Sequence, residues 1–225
     1  MAAKLYMAPY TCARVTAIAL EEAGIEFETS LVRFMKGEHK SPEFKRSNPK
    51  GKVPALEIDG DLLTENVAIL TYLDERFPEA GLMPEAASPG QRARNTADLC
   101  FCSSTLHPLV TRIRMPMFFA GPDNAVAVKR TAELAMDEYF QLVEDRLADK
   151  PWWYGADWSA MDGYLYWIFW RVEGAGYDVS RFPRFLSHAR ENERRPAVER
   201  ALAREEALQR QLEAEGVAFV PPKVG

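Results

Sequence analysis

The segment at residues 48–66 constrains the fold more than any other part of the chain; it reads NPKGKVPALEIDGDLLTEN. Its first four residues, Asn-Pro-Lys-Gly, are typical of a turn, and the apolar run at residues 53–58 favours a short strand. Asp59 and Gly60 form the dipeptide preferred in two-residue hairpins, where both central residues take positive φ. The segment therefore predicts a turn followed by two antiparallel strands.

A helix is predicted to begin where this segment ends. Thr64, Glu65 and Asn66 precede a dense apolar set that starts at Val67. A polar residue with an acid beside it, placed before such a set, is typical of a helix N-terminus. The unpaired N–H groups at that end attract carboxylates.

Pro54 stands at the start of the first of these strands, where a sheet tolerates proline. With a trans bond between Val53 and Pro54, the proline only begins the strand. With a cis bond, the N–H and C=O of Val53 turn outward and can pair with an extended peptide, as in strand addition. The residues alone leave both isomers open.

The rest of the first third predicts a β-α-β unit. Residues 5–7 and 27–31 favour strands, and residues 11–23 have apolar side chains at helical spacing. Since such crossovers are right-handed, the two strands are expected to be parallel. Residues 36–47 are polar and irregular, with one helical turn expected near Phe44.

Beyond residue 90 the pattern is helical throughout. Long helices are predicted at residues 93–106 and 124–147, and three prolines are expected to interrupt the stretch between them: Pro108, Pro116 and Pro122. Ser159 with Asp162 has the spacing of a capping box before an apolar helix. No strand signal of comparable strength occurs in this part.

Composition excludes several classes of protein. The chain has 225 residues, 47% of them apolar, and a formal net charge of -5, which argues against a broad nucleic-acid-binding face. Three cysteines and three histidines lack metal-ligand spacing, so neither a zinc site nor a disulfide framework is expected. The sequence has no recognisable signal peptide or membrane span, and a cytoplasmic location is predicted.

The sequence Asn-Pro-Lys-Gly-Lys-Val-Pro-Ala-Leu, followed by a hairpin and by Thr-Glu-Asn before a helix, resembles the glutathione-binding half of cytosolic glutathione transferases. The resemblance implies an α+β fold. A thioredoxin-like domain at residues 1–80 would bind glutathione, residues 81–90 would be a linker, and an all-α domain at residues 91–225 would supply a hydrophobic substrate site.

The resemblance also assigns roles to four residues of this segment. In the family, a cis-proline peptide pairs with the cysteinyl backbone of glutathione, which places Val53 and Pro54 in that role. An acid-hydroxyl pair grips the γ-glutamyl end, and Glu65 with Asn66 matches that pair. The family usually has serine at the second position, whereas this chain has an asparagine, whose amide can also donate and accept.

Two residues are candidates to act on the glutathione thiol. Cys12 stands where bacterial β-class transferases carry cysteine, and Thr11 stands where δ- and θ-like enzymes carry serine. Both are near the predicted N-terminus of the first helix, which favours an anion. Cys12 can form a mixed disulfide with glutathione or donate a weak hydrogen bond, and Thr11 can donate a stronger one.

Three further residues complete the predicted site. His39 and Lys52 match positions that reach the glycyl carboxylate of glutathione, where a positive charge is favourable. His107 resembles the histidine that β-class enzymes bring from the helical domain toward the thiol, although Pro108 replaces the lysine that follows it in the family.

The resemblance therefore predicts a cytoplasmic detoxification enzyme that conjugates the glutathione thiolate to hydrophobic electrophiles. Glutathione would be the co-substrate, the chain would form a homodimer, and no metal, nucleic acid or membrane would take part. Two alternatives stay open. Cys12 favours glutathione-dependent reduction, thiol transfer or isomerisation, and Asn66 with Pro108 is compatible with a non-catalytic binding or regulatory module.

Overall fold

The computed structural model describes residues 3–219, which divide into two compact units. The first unit runs to Leu82 and resumes at Arg195, and the second runs from Met83 to Arg194. The domain limits predicted from the sequence, with a linker at residues 81–90, stay a prediction. The sequence did not indicate that the last helical segment packs with the first unit.

The first unit is built on a four-stranded mixed sheet with the order β2-β1-β3-β4. Its strands are β1 (Ala3–Met7), β2 (Phe27–Leu31), β3 (Ala55–Ile58) and β4 (Asp61–Thr64). β1 and β2 are parallel, whereas β1–β3 and β3–β4 are antiparallel. Asp59 and Gly60 connect β3 to β4 with φ of 53° and 91°. The predicted crossover and hairpin are both present, and the thioredoxin-like fold class is confirmed.

Helices cover both faces of this sheet. They are α1 (Ala13–Glu22), α2 (Pro42–Ser47) and α3 (Asn66–Arg76), with short 3-10 turns at Phe34–Lys36, Glu38–Lys40 and Pro78–Ala80. Leu5 and Met7 are fully buried on one face of β1, the face that α1 contacts. Tyr6 points to the opposite face, because side chains alternate along a strand. Its ring lies 5.9 Å from that of Phe44 in α2.

Among the described residues, the second unit has only helices and turns, apart from an isolated antiparallel bridge between Trp152 and Gly155. It contains α4 (Pro89–Cys100), α5 (His107–Arg114), α6 (Met117–Ala120), α7 (Ala125–Arg146), α8 (Ala160–Glu173) and α9 (Pro183–Glu193). Its core is aromatic: the ring of Phe140 in α7 lies 6.1 Å from that of Phe169 in α8 and 4.8 Å from that of Phe185 in α9. The long helix predicted at residues 124–147 is confirmed, since α7 begins and ends one residue inside it.

One expectation about the helices was wrong. Pro108 does not interrupt the helical stretch, which continues from α4 through a π-helical segment at Phe101–Leu106 into α5. In a regular α-helix the Pro108 ring would clash with the carbonyl of Ser104, four residues earlier. The wider turns of a π-helix accommodate such a disruption. The Ser104 hydroxyl donates to the Cys100 carbonyl at 2.6 Å within this segment.

The start of α8 confirms the predicted capping box. The Asp162 carboxylate is fully buried and accepts hydrogen bonds from the backbone N–H of Ser159 at 2.9 Å and of Trp153 at 2.7 Å. The Ser159 hydroxyl donates to the same carboxylate at 2.7 Å, and His188 Nε2 lies 2.9 Å from it. This carboxylate therefore joins the helix start to a preceding turn and to α9.

The last helix, α10 (Pro196–Ala214), returns to the first unit and packs along α1. Ion pairs line this contact. Glu21 of α1 pairs with Arg200 at 2.6 Å and with Arg204 at 2.5 Å, and Glu22 pairs with Arg195 at 2.7 Å. Within residues 3–219, no helix is both long enough and apolar enough to cross a membrane.

Candidate active site

Cys12 is the N-cap residue of α1, so its thiol lies at the end of the helix where backbone N–H groups lack intrahelical partners. Its Sγ is within donating distance of the Val53 carbonyl oxygen, at 3.5 Å. Burial raises the pKa of the Cys12 thiol to about 12, and the nearby Glu65 carboxylate adds to this effect. Cys12 is therefore a protonated donor at neutral pH.

Thr11, the second candidate, is engaged differently. Its hydroxyl donates to the Ala8 carbonyl at 2.6 Å. A hydroxyl has a single proton to donate, so Thr11 must break this bond before it can donate to a thiolate. Both candidates lie in the turn before α1. The hydrogen bond that the Cys12 thiol donates to Val53 is weaker than the one that the Thr11 hydroxyl donates to Ala8.

Val53 and Pro54 are buried, and the bond between them is cis. The turn before them is held by Asn48, which is 1% exposed. Its side-chain Nδ2 donates to the Lys52 carbonyl at 2.6 Å, and its Oδ1 accepts from the Lys50 N–H at 3.1 Å. Asn48 thus sets the path of the chain into the cis peptide.

Glu65 has φ of 73° and ψ of 124°, a conformation that non-glycine residues seldom adopt. Such a residue carries a conformational cost of about 1–3 kcal/mol and occurs preferentially at functional sites. Its carboxylate is exposed and pairs with Lys50 Nζ at 2.6 Å. An acidic group with an accessible carboxylate therefore stands directly before α3, as the sequence predicted.

Asn66, the first residue of α3, is only 4% exposed. Its Nδ2 donates to the Cys12 carbonyl at 3.0 Å, and its Oδ1 accepts from the Thr16 hydroxyl at 2.8 Å. The side chain therefore connects α3 to the first turn of α1. The amide is directed into the protein, which the sequence did not indicate, and the predicted role of Asn66 toward glutathione stays a prediction.

His39 lies in a 3-10 turn, with its ring 4.7 Å from that of Phe34. Its carbonyl oxygen would be 2.8 Å from a Cβ at Gly51, whose φ is 65°, so only glycine fits where these two turns meet. Burial lowers the pKa of His39, and the charge of Lys40 contributes. His39 Nδ1 is buried and has no hydrogen-bond partner within residues 3–219.

Lys52 has an exposed side chain, and it lies near enough to Cys12 that its positive charge opposes the rise in the thiol pKa. Burial lowers the pKa of His39 because desolvation disfavours the imidazolium form, so Lys52 is the permanent cation of the two. The role predicted for both residues toward the glycyl carboxylate stays a prediction.

His107 belongs to the second unit, where it is the first residue of α5. Its Nδ1 lies 3.4 Å from the Tyr164 hydroxyl, and its ring lies 4.7 Å from that of Trp167. It is therefore packed against α8 inside a continuous helical stretch. Its predicted role toward substrate stays a prediction.

Three of the predicted elements are brought together in the first unit: the Cys12 turn, the cis-proline turn and the start of α3. The sequence analysis missed one further participant. Glu205 of α10 accepts a hydrogen bond from the Tyr10 N–H at 2.7 Å, in the turn that precedes Cys12. The two residues are 195 positions apart, so no local pattern connects them. Within the described part of the chain, no cluster of three or more metal-ligating side chains occurs.

Comparison with known proteins identifies the family. The family model described as glutathione S-transferase, N-terminal domain, matches residues 1–75. A solved sphingomonad glutathione S-transferase complexed with glutathione is 33% identical, covers 90% of this chain and 98% of its own, and superposes with a TM-score of 0.78. The chain belongs to the glutathione S-transferase superfamily. The resemblance inferred from residues 48–66 is confirmed.

Two curated relatives of this transferase-family chain indicate the range of chemistry among its neighbours. Glutathione S-transferase GstA of Escherichia coli O157:H7 is 29% identical over 204 residues, which are 90% of this chain and 98% of the relative. A maleylacetoacetate isomerase of Pseudomonas aeruginosa is 28% identical over 170 residues, which are 74% of this chain and 79% of the relative.

Proposed function

We propose that the chain is a glutathione transferase that conjugates the glutathione thiolate to hydrophobic electrophiles. One observation carries this proposal: at the N-terminus of α1 the Cys12 thiol donates to the Val53 carbonyl at 3.5 Å, and the Asn66 amide donates to the Cys12 carbonyl at 3.0 Å. In the family, the cis-proline peptide holds the cysteinyl backbone of glutathione, and the residues that match Glu65 and Asn66 hold its γ-glutamyl end.

Glutathione would bind as an extended peptide across this site. Its cysteinyl backbone would pair with the backbone of Val53, since strand addition supplies two backbone hydrogen bonds at such a position. The ammonium group of its γ-glutamyl end would face the exposed Glu65 carboxylate, and the carboxylate of that end would face the N-terminus of α3. Its glycyl carboxylate would meet Lys52 and the unpaired Nδ1 of His39.

The same geometry favours Cys12 as the group that activates the bound thiol. A free thiol has a pKa of about 8.5 and is mostly protonated at neutral pH. Burial raises the pKa of the Cys12 thiol to about 12, so this thiol is protonated at neutral pH. It therefore donates a hydrogen bond to a glutathione thiolate, and the helix N-terminus adds favourable electrostatics.

Glutathione-dependent isomerisation is the second candidate, and the relative named maleylacetoacetate isomerase supports it. The same thiolate would add to one carbon of a cis double bond and leave a carbanion on the other; rotation about the resulting single bond would follow, and elimination would restore the double bond and the thiolate. Thiol transfer through a Cys12 mixed disulfide is less well supported, because the raised pKa makes Cys12 a poor nucleophile.

The helical unit would supply the electrophile site, and His107 is proposed to contact that substrate. A homodimer is proposed from family membership. For His107, replacement by alanine is expected to raise KM for the electrophile while leaving KM for glutathione unchanged. A change only in glutathione KM would instead assign it to the glutathione site.

The decisive experiment follows glutathione thiolate absorbance in the ultraviolet against pH, after the signal of the protein alone is subtracted. Saturable binding with a thiol pKa lowered by about 2 is expected. Cys12→Ala should raise that pKa by about 1 and slow conjugation about tenfold at pH 6.5, with little effect above pH 9. Cys12→Ser keeps a donor and should retain the low pKa.

The matched pair of variants separates the alternatives. If Cys12 acts as a nucleophile, both variants lose activity at every pH, and the product is a disulfide instead of a thioether. If the fold serves as a binding or regulatory module, the wild-type chain fails to bind glutathione saturably, which refutes the transferase proposal.

A further inference from the structure

A buried ion pair connects the last helix of the chain to the turn that carries Cys12. Glu205 of α10 and Arg14 of α1 are each 1% exposed. The Glu205 Oε2 accepts from Arg14 Nε at 3.0 Å and also from Arg14 Nη2, while its Oε1 accepts from the Tyr10 N–H at 2.7 Å. One carboxylate therefore binds both the body of α1 and the residue two positions before Cys12.

The backbone of Tyr10 requires such a contact. Its φ of 66° lies in the left-handed region, which side-chain-bearing residues adopt at a conformational cost and which persists only when surrounding contacts impose it. A hydrogen bond to an ionised acceptor is roughly twice as strong as one between neutral groups. Glu205 is the charged acceptor that the structure provides for this N–H.

The buried Glu205–Arg14 pair is not required simply to hold α10 against α1. Three other ion pairs already join the two helices, from Glu21 to Arg200 and Arg204 and from Glu22 to Arg195. Glu21 and Glu22 are the last two residues of α1, whereas Tyr10 and Cys12 precede its first residue, Ala13. Glu205 is the member of this interface that reaches the turn, and Arg14 supplies the charge that allows a carboxylate to be buried there.

We propose that Glu205 is a positioning residue, which holds Tyr10 in its left-handed conformation so that the Cys12 thiol stays directed toward the cis-proline turn where glutathione would bind. The proposal rests on the proposed function for its relevance to catalysis. Its structural content, that Glu205 controls the environment of Cys12, is testable without glutathione.

Two double variants distinguish the positioning of Tyr10 by Glu205 from the effect of burying the Glu205 and Arg14 charges. Arg14→Met with Glu205→Gln removes both charges but keeps a side-chain oxygen that can accept from the Tyr10 N–H. Arg14→Met with Glu205→Met removes the acceptor and has similar volume. Both are expected to fold, since replacing both members of a buried ion pair by groups of similar volume is often tolerated. Glu21→Gln serves as a control that weakens the α1–α10 contact elsewhere.

The first measurement is the alkylation rate of Cys12 by iodoacetamide, followed by mass spectrometry of the peptide that contains it. Loss of the acceptor should free the turn and increase the rate about tenfold or more in the Glu205→Met double variant. The Glu205→Gln double variant and Glu21→Gln should stay within about threefold of wild type. Equal rates in all folded variants would overturn the proposal.

The second measurement is the pH profile of kcat/KM with glutathione. The Glu205→Met double variant should show a bound-thiol pKa raised by about 1, with kcat reduced more than KM for glutathione is raised. Adding Tyr10→Gly should recover part of this loss, because glycine adopts positive φ without a Cβ penalty. Absence of glutathione binding by wild type would refute the proposed function, while the alkylation rates would still decide the role of Glu205.

Discussion

Asn66→Ser tests whether the buried amide of Asn66 is a structural connection, because it installs the residue that the family usually has. The Asn66 side chain spans two partners, the Cys12 carbonyl at 3.0 Å and the Thr16 hydroxyl at 2.8 Å. A serine hydroxyl is shorter and has one proton, so it cannot replace both hydrogen bonds. The substitution is therefore expected to destabilise the first unit although it restores the family pattern.

The magnitude follows from what each partner loses. A buried hydrogen bond contributes about 1 kcal/mol net, and a group left unpaired costs about 1–3 kcal/mol. The Cys12 carbonyl still accepts from the Val15 N–H at 3.1 Å, so it is not left unpaired. Thr16 can turn its hydroxyl toward a carbonyl of the preceding helical turn. The expected loss is thus the two bonds alone, about 2 kcal/mol.

The assay has to report the first unit. All five tryptophans lie at residues 152–170, so tryptophan fluorescence follows the second unit. Hydrogen exchange of amides in α1 and α3 is the suitable probe, and a loss of 2 kcal/mol should accelerate it about 30-fold. Amides of α8, in the second unit, serve as the internal control and should keep their rates.

A double-mutant cycle with Thr16→Val completes the test. If Asn66 and Thr16 interact as the 2.8 Å distance indicates, the cycle should give a coupling energy of about 1 kcal/mol. Unchanged exchange in Asn66→Ser, or a coupling near zero, would refute the structural role. A uniform acceleration that included α8 would show that the variant had lost the fold as a whole.

Two further predictions concern titration and capping. Burial lowers the pKa of His39 in the free protein, and a bound carboxylate should raise it. The affinity for S-methylglutathione, which has no thiol to ionise, should therefore increase as pH falls from about 7.5 to 5.5, and His39→Gln should abolish this dependence in calorimetric titrations. Asp162→Asn removes the buried carboxylate that pairs with Trp153, Ser159 and His188. The free energy of unfolding of the second unit should therefore fall by about 3 kcal/mol, measured by urea unfolding with tryptophan fluorescence. A wild-type affinity that does not change with pH would contradict the first interpretation, and an unchanged urea midpoint in Asp162→Asn would contradict the second.

Local sequence patterns predicted those parts of the fold that depend on interactions between residues close together in the sequence. The Asp59-Gly60 turn, the alternation in β2 and the spacing in α7 were read correctly because each depends on residues a few positions apart. Pro108 shows the limit of this approach. Proline disfavours the interior of an α-helix, but a π-helical segment at Phe101–Leu106 accommodates it, and no pattern in the sequence distinguishes that outcome from a break.

The candidate site, too, could be predicted from the sequence only in part. Positions could be assigned because the turn at residues 48–54 and the helix start at Asn66 have local sequence patterns, but hydrogen-bond partners could not. The engagement of Thr11 with Ala8, the burial that raises the pKa of Cys12, and the inward direction of the Asn66 amide depend on how the elements pack.

From the amino-acid sequence alone we could predict the order of strands and helices in the first unit, the cap of α8 and membership in a family. These features follow from periodicity, turn chemistry and short spacings, which act within a few residues. Two features of the site arise only when the chain is folded: Glu205 accepts from the Tyr10 N–H, 195 residues away, and burial keeps the Cys12 thiol protonated. Both depend on burial and on distances across the fold, which desolvate charges and pair groups that no sequence window contains together.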